Sequence, residues 1–237
     1  MAFVLVACEE SQRVCTAFRM RGHIAFSCDI DECSGGHPEW HIQQNVIPLL
    51  NGYCSFETLD GNAYILHRKW DLIIAHPPCT YLTVSGNRWF NVERYGEAAY
   101  ERLKKRITSA EFFMTFVHAD CDHIAIENPI GVMSTWYRKP DQIIQPYQFG
   151  HPYTKSTCLW LRGLPPLKPT DVLTKPKTGW VNQAITPDGR YGGFNGKFNG
   201  ARERSKTFTG IATAMADQWS PYLDTIRPTI FLDESSN

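Results

Sequence analysis

Residues 70–86 read WDLIIAHPPCTYLTVSG, a short apolar run that stops at two prolines and a cysteine. The run is rich in Leu and Ile and predicts a buried strand starting near Trp70. Each proline lacks an N–H and fixes its φ angle, so the strand cannot continue into a helix interior. Pro77 also biases His76 toward extended backbone, and Pro78 does the same to Pro77. The strand therefore runs into a stiff turn that carries Cys79. A cysteine there serves as a nucleophile, a structural thiol or part of a ligand pocket.

Working outward, FVLVAC at 3–8 predicts another short buried strand, followed by a helix around 11–21 that Gly22 ends. HIAFSCDID, 23–31, adds a strand with carboxylates near its end, and HIAIENP, 123–129, one that ends in polar chemistry and a proline. Residues 97–119 read as a helix with Leu103, Ile107, Ala110, Phe113 and Met114 close to one face. This alternation predicts an α/β domain with strands buried on both sides. The stretch 140–206 is rich in Pro, Gly, aromatic and basic residues and predicts irregular loops or short strands. Residues 209–219 return to a helical pattern through Ile211, Met215 and Trp219.

A chain of 237 residues with 43% apolar content is one large domain, or one domain with a small appendage. No segment has the length of a membrane span, and the N-terminus lacks the positive flank of a signal peptide. The cysteines at 8, 15, 28, 33, 54, 79, 121 and 158 form no repeated framework and no CxxC pair, which points to a reduced, intracellular protein. Cys33, His37 and His41 give a weak zinc signal, outweighed by the reading of a polar loop. Formal charge is zero, but residues 155–206 hold ten basic and three acidic side chains. That basic region can engage a polyanion locally. Within it, Tyr191, Phe194 and Phe198 alternate with polar and basic residues, as a surface that stacks on unpaired bases would.

The acidic pairs Glu9/Glu10 and Asp29/Asp31, Cys79, and Glu127-Asn128-Pro129 all fall at predicted strand ends, where open α/β sheets collect their ligands. Asp29 suits ribose hydroxyls. The first turn, ACEESQRV, has no GxGxxG, which disfavours a pyrophosphate dinucleotide. It is compatible with S-adenosylmethionine, whose sulfonium and amino group are cationic. Cys79 is suited to attack C6 of cytosine as a thiolate, and Glu127 to hold N3.

These motifs resemble those of the phage and prophage DNA cytosine-5 methyltransferases. The matching stretches are VACEESQRVCTAF, SCDID, QQNV, WDLIIAHPPCTYLTVSG, IAIENPIG, YRKPDQIIQPYQFGHPYTKSTCLWLRG and RSKTFTGIATAMADQW, most of residues 4–219. The resemblance implies a Rossmann-like class I methyltransferase domain with a small irregular target-recognition insertion. The implied division is a catalytic core at 1–164, a basic DNA-recognition insertion at 165–206, and a return to the core at 207–237. It assigns catalysis to Cys79, Glu127 and Lys155. Asp29 would contact the donor's ribose, Ile30 flank its adenine and Asn45 lie near the adenine edge, with Glu9, Glu10, Pro77, Phe208 and Ile211 completing the pocket. Ser85, Arg190, Lys197, Arg202 and Arg204 would face double-stranded DNA. The cofactor is S-adenosylmethionine, with no metal, and the setting is the bacterial cytoplasm, that of the host if the gene is phage-borne.

Two departures stand out. The family's FxGxG turn is ACEES here, and its GxPQxRxR segment is GHPYTKST, which keeps a positive residue at Lys155 but has Thr157 at the second basic position. Two rival readings remain. An amino-methyltransferase, whose NPPY-type loop HPPC partly resembles, would leave ENP without a task. A catalytically silent DNA-binding or interaction protein would keep only the donor-domain shell.

Overall fold

A computed structural model describes residues 1–175 and 201–225. Among the described residues nine strands run in chain order: β1 Phe3–Ala7, β2 Ile24–Asp29, β3 His41–Gln43, β4 Cys54–Glu57, β5 Ala63–Leu66, β6 Leu72–Ala75, β7 Ile124–Pro129, β8 Gln142–Ile144 and β9 Thr157–Arg162. The helices are α1 Arg13–Met20, α2 Val92–Tyr95, α3 Glu97–Val117, α4 Met133–Trp136, α5 Ala201–Ser205 and α6 Thr209–Thr225.

Seven strands make one sheet in the order β3-β2-β1-β6-β7-β9-β8, and β4 and β5 form a separate antiparallel hairpin. Strands β3, β2, β1, β6 and β7 pair in parallel, whereas β9 runs antiparallel to both β7 and β8. The sheet is therefore mixed and mostly parallel. From β1 the chain winds outward through β2 and β3 on one side and through β6 and β7 on the other. The order reverses between β1 and β6, the kind of switch point at whose strand carboxyl ends open α/β sheets bind their ligands.

Alternate residues of each strand serve opposite faces, as the two-residue period requires. Val4, Val6, Leu72 and Ile74 pack with Val14 and Phe18 of α1 and with Ile211, Met215 and Trp219 of α6. Leu5, Ala7, Ile73, Ala75, Ile124 and Ile126 pack with Phe113 and Phe116 of α3 and with Trp160 of β9. The predicted apolar spacing of the C-terminal helix thus corresponds to its buried face. Arg13 Nη1 donates to Thr207 O at 2.8 Å, and Arg21 pairs with Asp217, so polar contacts tie the start of α1 to the segment before α6 and the residue after α1 to the middle of α6.

Leu103 and Ile107 are exposed, so only the C-terminal half of α3 lies on the sheet. Of the irregular loops or short strands expected over 140–206, the part at 140–162 supplies β8 and β9, which complete the main sheet. Residues 165–175 are tied to the core. Leu167 N donates to Gln142 Oε1 at 2.8 Å, Lys168 N to Gln218 Oε1 at 2.7 Å, and Leu167 is 2% exposed. All eight cysteines are free thiols. Among the described residues no helix is long and apolar enough to cross a membrane.

Candidate active site

The carboxyl ends of β1, β2, β6 and β7 bring four predicted points to one edge of the sheet. Ala75 pairs with Ile126, so the HPPC turn leaves β6 beside Glu127 and Asn128 of β7. The two motifs are joined by a bond that neither announces alone: Asn128 Nδ2 donates to Pro77 O at 2.7 Å, with Asn128 2% exposed. A proline-rich turn has few N–H groups to anchor itself, and a side chain from the neighbouring strand supplies the anchor. Removing that amide leaves a buried carbonyl unpaired, at a cost of about 1–3 kcal/mol. Asn128→Ala is expected to lower unfolding stability in urea by that amount and to reduce any activity that depends on Cys79.

Beyond Pro78 the chain turns sharply, with Leu82 N and Thr83 N both donating to Cys79 O at 3.0 Å. It then clasps the segment after β7, through Val84 N to Ile130 O at 3.1 Å and Val132 N to Leu82 O at 2.9 Å. Cys79 itself is half-buried. Burial, and next the Glu127 carboxylate, push its thiol above the ordinary range, while Lys155 and Arg204 pull it back. At neutral pH the resting group is the thiol.

Glu127 is enclosed, and burial alone would raise its carboxyl. Lys155, together with the hydrogen bond and charge of His76, outweighs burial and holds the group below its usual range. His76 Nδ1 lies 3.3 Å from Glu127 Oε2. Lys155 is held by the segment before β9: its N–H donates to Gln145 Oε1 at 3.0 Å, and Gln145 Nε2 donates to Ser156 Oγ at 2.8 Å. Thr157, at the second basic position of the resemblance, is buried and its hydroxyl donates to Lys155 O at 3.1 Å. Arg204, expected at the DNA backbone, brings its charge to bear on Cys79.

The β1–α1 turn differs from expectation in a telling way. Cys8 and Gln12 adopt φ values of 58° and 56°, the left-handed region that glycine enters at least cost. The backbone path associated with a glycine-rich turn is thus followed by non-glycine residues. Glu9, expected at the donor, caps the helix: its carboxylate accepts from Val14 N at 2.7 Å and Cys15 N at 3.1 Å. These are orphan donors of the first turn of α1, where the helix dipole also favours an anion. Burial pushes Glu9 up, opposed by His76 and by those two N–H groups. Glu10 is 9% exposed beside it.

Asp29 ends β2 half-buried, its Oδ1 accepting from Asp31 N at 3.1 Å. Burial raises its carboxyl, which the N–H groups of Asp31 and Ile30 partly offset. Ile30 is 74% exposed. Asn45 is also exposed and caps a short turn through Ile47 N at 3.1 Å. Pro77 is buried at the switch point. Phe208 and Ile211 are core residues, 6% and 3% exposed, and Phe208 packs against the rings of His151 and Tyr153. Ser85 is exposed on the Cys79 loop, 3.3 Å from Thr83 Oγ1. Arg190, Lys197 and the side chain of Arg202 lie outside the described residues. Tyr191, Phe194 and Phe198 do so as well.

His37 stacks on Trp40 and pairs with Glu39, while His41 bonds Ser27 Oγ and Asp31 O, so both histidines have structural tasks. Among the described residues no group of three or more His, Cys, Asp or Glu stands together as a metal set. Sequence reasoning missed His76, read only as a residue constrained by Pro77, and the anchoring role of Asn128. It also missed a surface hollow of about 470 Å³ beside the Cys79 loop, lined by Tyr81, Trp89, Tyr95, Ala98, Arg102 and Lys105, with Glu101 as an acid at its wall. The interleaved Trp89, Tyr95, Arg102 and Lys105 were the available signal.

No family model and no curated protein matches the chain. Among solved structures, one similar chain is the crystal structure of a candidate DNA modification methyltransferase encoded within a prophage of E. coli. Its TM-score is 0.39 at 15% identity, covering 77% of this chain and 53% of that one. The present chain thus spans about half the length of the chain it matches.

Proposed function

We propose that this protein is an S-adenosylmethionine-dependent DNA cytosine-5 methyltransferase. The observation that carries the reading is the joining of Cys79 and Glu127 on adjacent strand ends at the switch point, through the Asn128–Pro77 hydrogen bond. A nucleophile beside a buried carboxyl group that can reach N3 is the pairing that addition to a cytosine ring uses. The seven-stranded sheet and the acid at the end of its second strand agree with a nucleoside-bearing cofactor.

In this reading the enzyme takes a cytosine out of the duplex, at a cost of a few kcal/mol recovered through pocket and backbone contacts. Cys79 Sγ bonds to C6 while Glu127 holds N3, and the ring's electrons make C5 a carbon nucleophile. S-adenosylmethionine, when bound, supplies an electrophilic methyl group. Loss of the C5 proton and expulsion of Cys79 restore the aromatic ring. Lys155 keeps Glu127 ionised and moderates the thiol. Asp29 would hold the ribose hydroxyls, with Ile30 and Asn45 at the adenine and Glu10 and Pro77 lining the turn. The half-buried Asp29 carboxyl, at the strand end beside exposed Ile30, fits that task.

DNA as the substrate is supported by Lys155 and Arg204 at the nucleophile and by the aromatic and cationic hollow beside its loop. One observation favours a second reading, a DNA-binding protein without turnover: the resting Cys79 is a thiol whose burial and acidic neighbour oppose ionisation.

Labelled S-adenosylmethionine and mixed duplex DNA, followed by nucleoside digestion and mass analysis, separate the two. Label on cytosine C5 is expected. Asp29→Ala is expected to weaken S-adenosylhomocysteine binding about tenfold or more, the loss of a charge-assisted hydrogen bond. Label on an amino nitrogen would replace the reading with its amino-methyltransferase rival. Donor binding without transfer to any DNA would favour the silent protein.

A further inference from the structure

His76 sits at the centre of the site, although its sequence context marks it only as the residue before Pro77. Its side chain is 8% exposed, and Nδ1 faces Glu127 Oε2 at 3.3 Å. Its Nε2 is buried with no hydrogen-bond partner among the described residues, and so is the other oxygen of its partner, Glu127 Oε1. Buried polar atoms are nearly always paired, and two orphans on one bonded pair mark polar capacity turned toward a ligand. The charged groups around the ring come from three directions. Glu9, coupled to Glu10, faces it from the β1–α1 turn, Glu127 from β7, and Lys155 stands beyond Glu127. Cys79 follows on the same turn as His76 itself.

This arrangement poses a chemical problem for the reaction proposed above. When Sγ adds to C6, negative charge develops on the ring, and N3 must take up a proton to hold it. Glu127 is the group that reaches N3 in that reading, yet Lys155 and His76 keep it ionised, and a carboxylate has no proton to give. Imidazole is the side chain that changes charge in ordinary solution between pH 5 and 8.

We infer that His76 is the positioning residue that supplies the proton, passing it through Glu127 to cytosine N3 as Cys79 bonds to C6. The step balances. The Nδ1 proton of the imidazolium moves to the Glu127 carboxylate, and that same proton passes on from the carboxyl group to N3, which leaves Glu127 ionised again. Cys79 reacts from its thiolate form, the thiol proton having gone to solvent, and the Sγ–C6 bond forms as the C5–C6 π pair shifts into the ring, leaving His76 neutral. When Sγ departs, N3 returns its proton along the same path, and the C5 proton leaves separately. Nothing is oxidised or reduced. The inference rests on the cytosine-5 reading, and two measurements keep their failures apart.

The first follows methyl transfer by wild type and His76→Gln across pH. Glutamine can still donate a hydrogen bond to Glu127 but carries no transferable proton. Its rate is expected to fall about 10²-fold at low pH, with S-adenosylhomocysteine binding retained. The ratio of wild-type to variant rate should be constant while His76 is protonated and then fall about tenfold per pH unit. Taking the ratio cancels the ionisation of Cys79, which both proteins share. A ratio near one, or one that does not change with pH, would overturn the relay. The second measurement needs no turnover: the ring nitrogens of His76 are titrated by NMR in wild type and Glu127→Gln. Loss of the anionic neighbour should move the titration to lower pH, and an unmoved titration would overturn the coupling whatever the DNA chemistry. A moved titration combined with methylation of an amino nitrogen, or of no base, would overturn the cytosine-5 reading and its N3 destination. The His76–Glu127 proton pair would still stand.

Discussion

Cys79→Ser is expected to reduce methyl transfer to cytosine by at least about 10³-fold, while S-adenosylhomocysteine binding stays within about twofold of wild type. Oxygen in place of sulfur keeps the side chain nearly the same size in a half-buried turn whose backbone bonds are made by Leu82 and Thr83. The loss is therefore chemical. A hydroxyl is far harder to ionise than a thiol, and no general base contacts it among the described residues. A duplex carrying 5-fluorocytosine should trap wild type as a covalent adduct through Cys79, because the normal C5 proton is missing. The serine variant should form none. Unchanged C5 transfer in Cys79→Ser would overturn the mechanism.

The surroundings of Cys79 add a test with opposed signs. Burial and Glu127 raise its thiol, so the reactive thiolate is scarce at neutral pH and grows as pH rises. Alkylation of Cys79 by iodoacetamide should accordingly speed up with pH. Glu127→Gln removes the repelling carboxylate and should make alkylation faster at fixed pH, even as it suppresses methyl transfer. Lys155→Met removes an attracting cation and should slow alkylation. A thiol with only a structural task would not couple faster alkylation to lost turnover.

Much of this site is legible in the sequence because its chemistry is carried by residue types that have few other reasons to sit together. HPPC and IENP follow apolar runs of strand length, and parallel pairing of β6 with β7 brings their ends side by side. The first turn is less legible. Two adjacent acids in ACEES suggest a cationic ligand, but the N-terminus of α1 presents N–H groups that compete for them, and Glu9 is used there. Nothing in a linear reading separates a capping acid from a binding acid when both lie one turn before a helix. His76 is hidden for a related reason. A histidine before proline reads as conformation until its neighbour across the sheet is known.

The fold was legible where periodicity and length agree. The pattern of β1, β2, β6 and β7 required burial on both faces, and the two core clusters provide it. Helix α3 shows where periodicity misleads. At 21 residues it is about 30 Å long, whereas strands of four to six residues extend about 13–20 Å. Its first turns overhang the sheet, leaving Leu103 and Ile107 in solvent on the same stripe that buries Phe113. Strands β8 and β9 were obscured by Pro- and Gly-rich surroundings. Their place in the sheet depends on antiparallel pairing of β9 with β7 and of β8 with β9, and the first of these is a contact that local texture does not report.

Gly131→Ala is expected to cost about 3 kcal/mol of unfolding stability and about 10²-fold in turnover, with no change to any group that touches the base. A Cβ at this position would lie 2.2 Å from Leu82 O and 3.2 Å from Thr83 Cα, and both are backbone atoms with no rotamer to yield. The segment after β7 and the loop after Cys79 must therefore separate. Their bridge between Thr83 and Gly131 would open, with the flanking bonds at Val84 and Val132. Cys79 is anchored on one side by the Asn128–Pro77 bond and on the other by this clasp, so loosening one side tilts the nucleophile against Glu127. A displacement near 1 Å is enough for the stated loss in rate. Gly61→Ala provides the contrast. Gly61 has φ 85° with nothing within 4 Å of the added carbon, in the hairpin turn between β4 and β5. That substitution should cost about 1–2 kcal/mol in backbone strain and leave turnover unchanged. Urea unfolding and single-turnover methylation on both variants decide the point. Equal turnover in the two would mean that the clasp does not position Cys79, and that the glycine serves the fold alone.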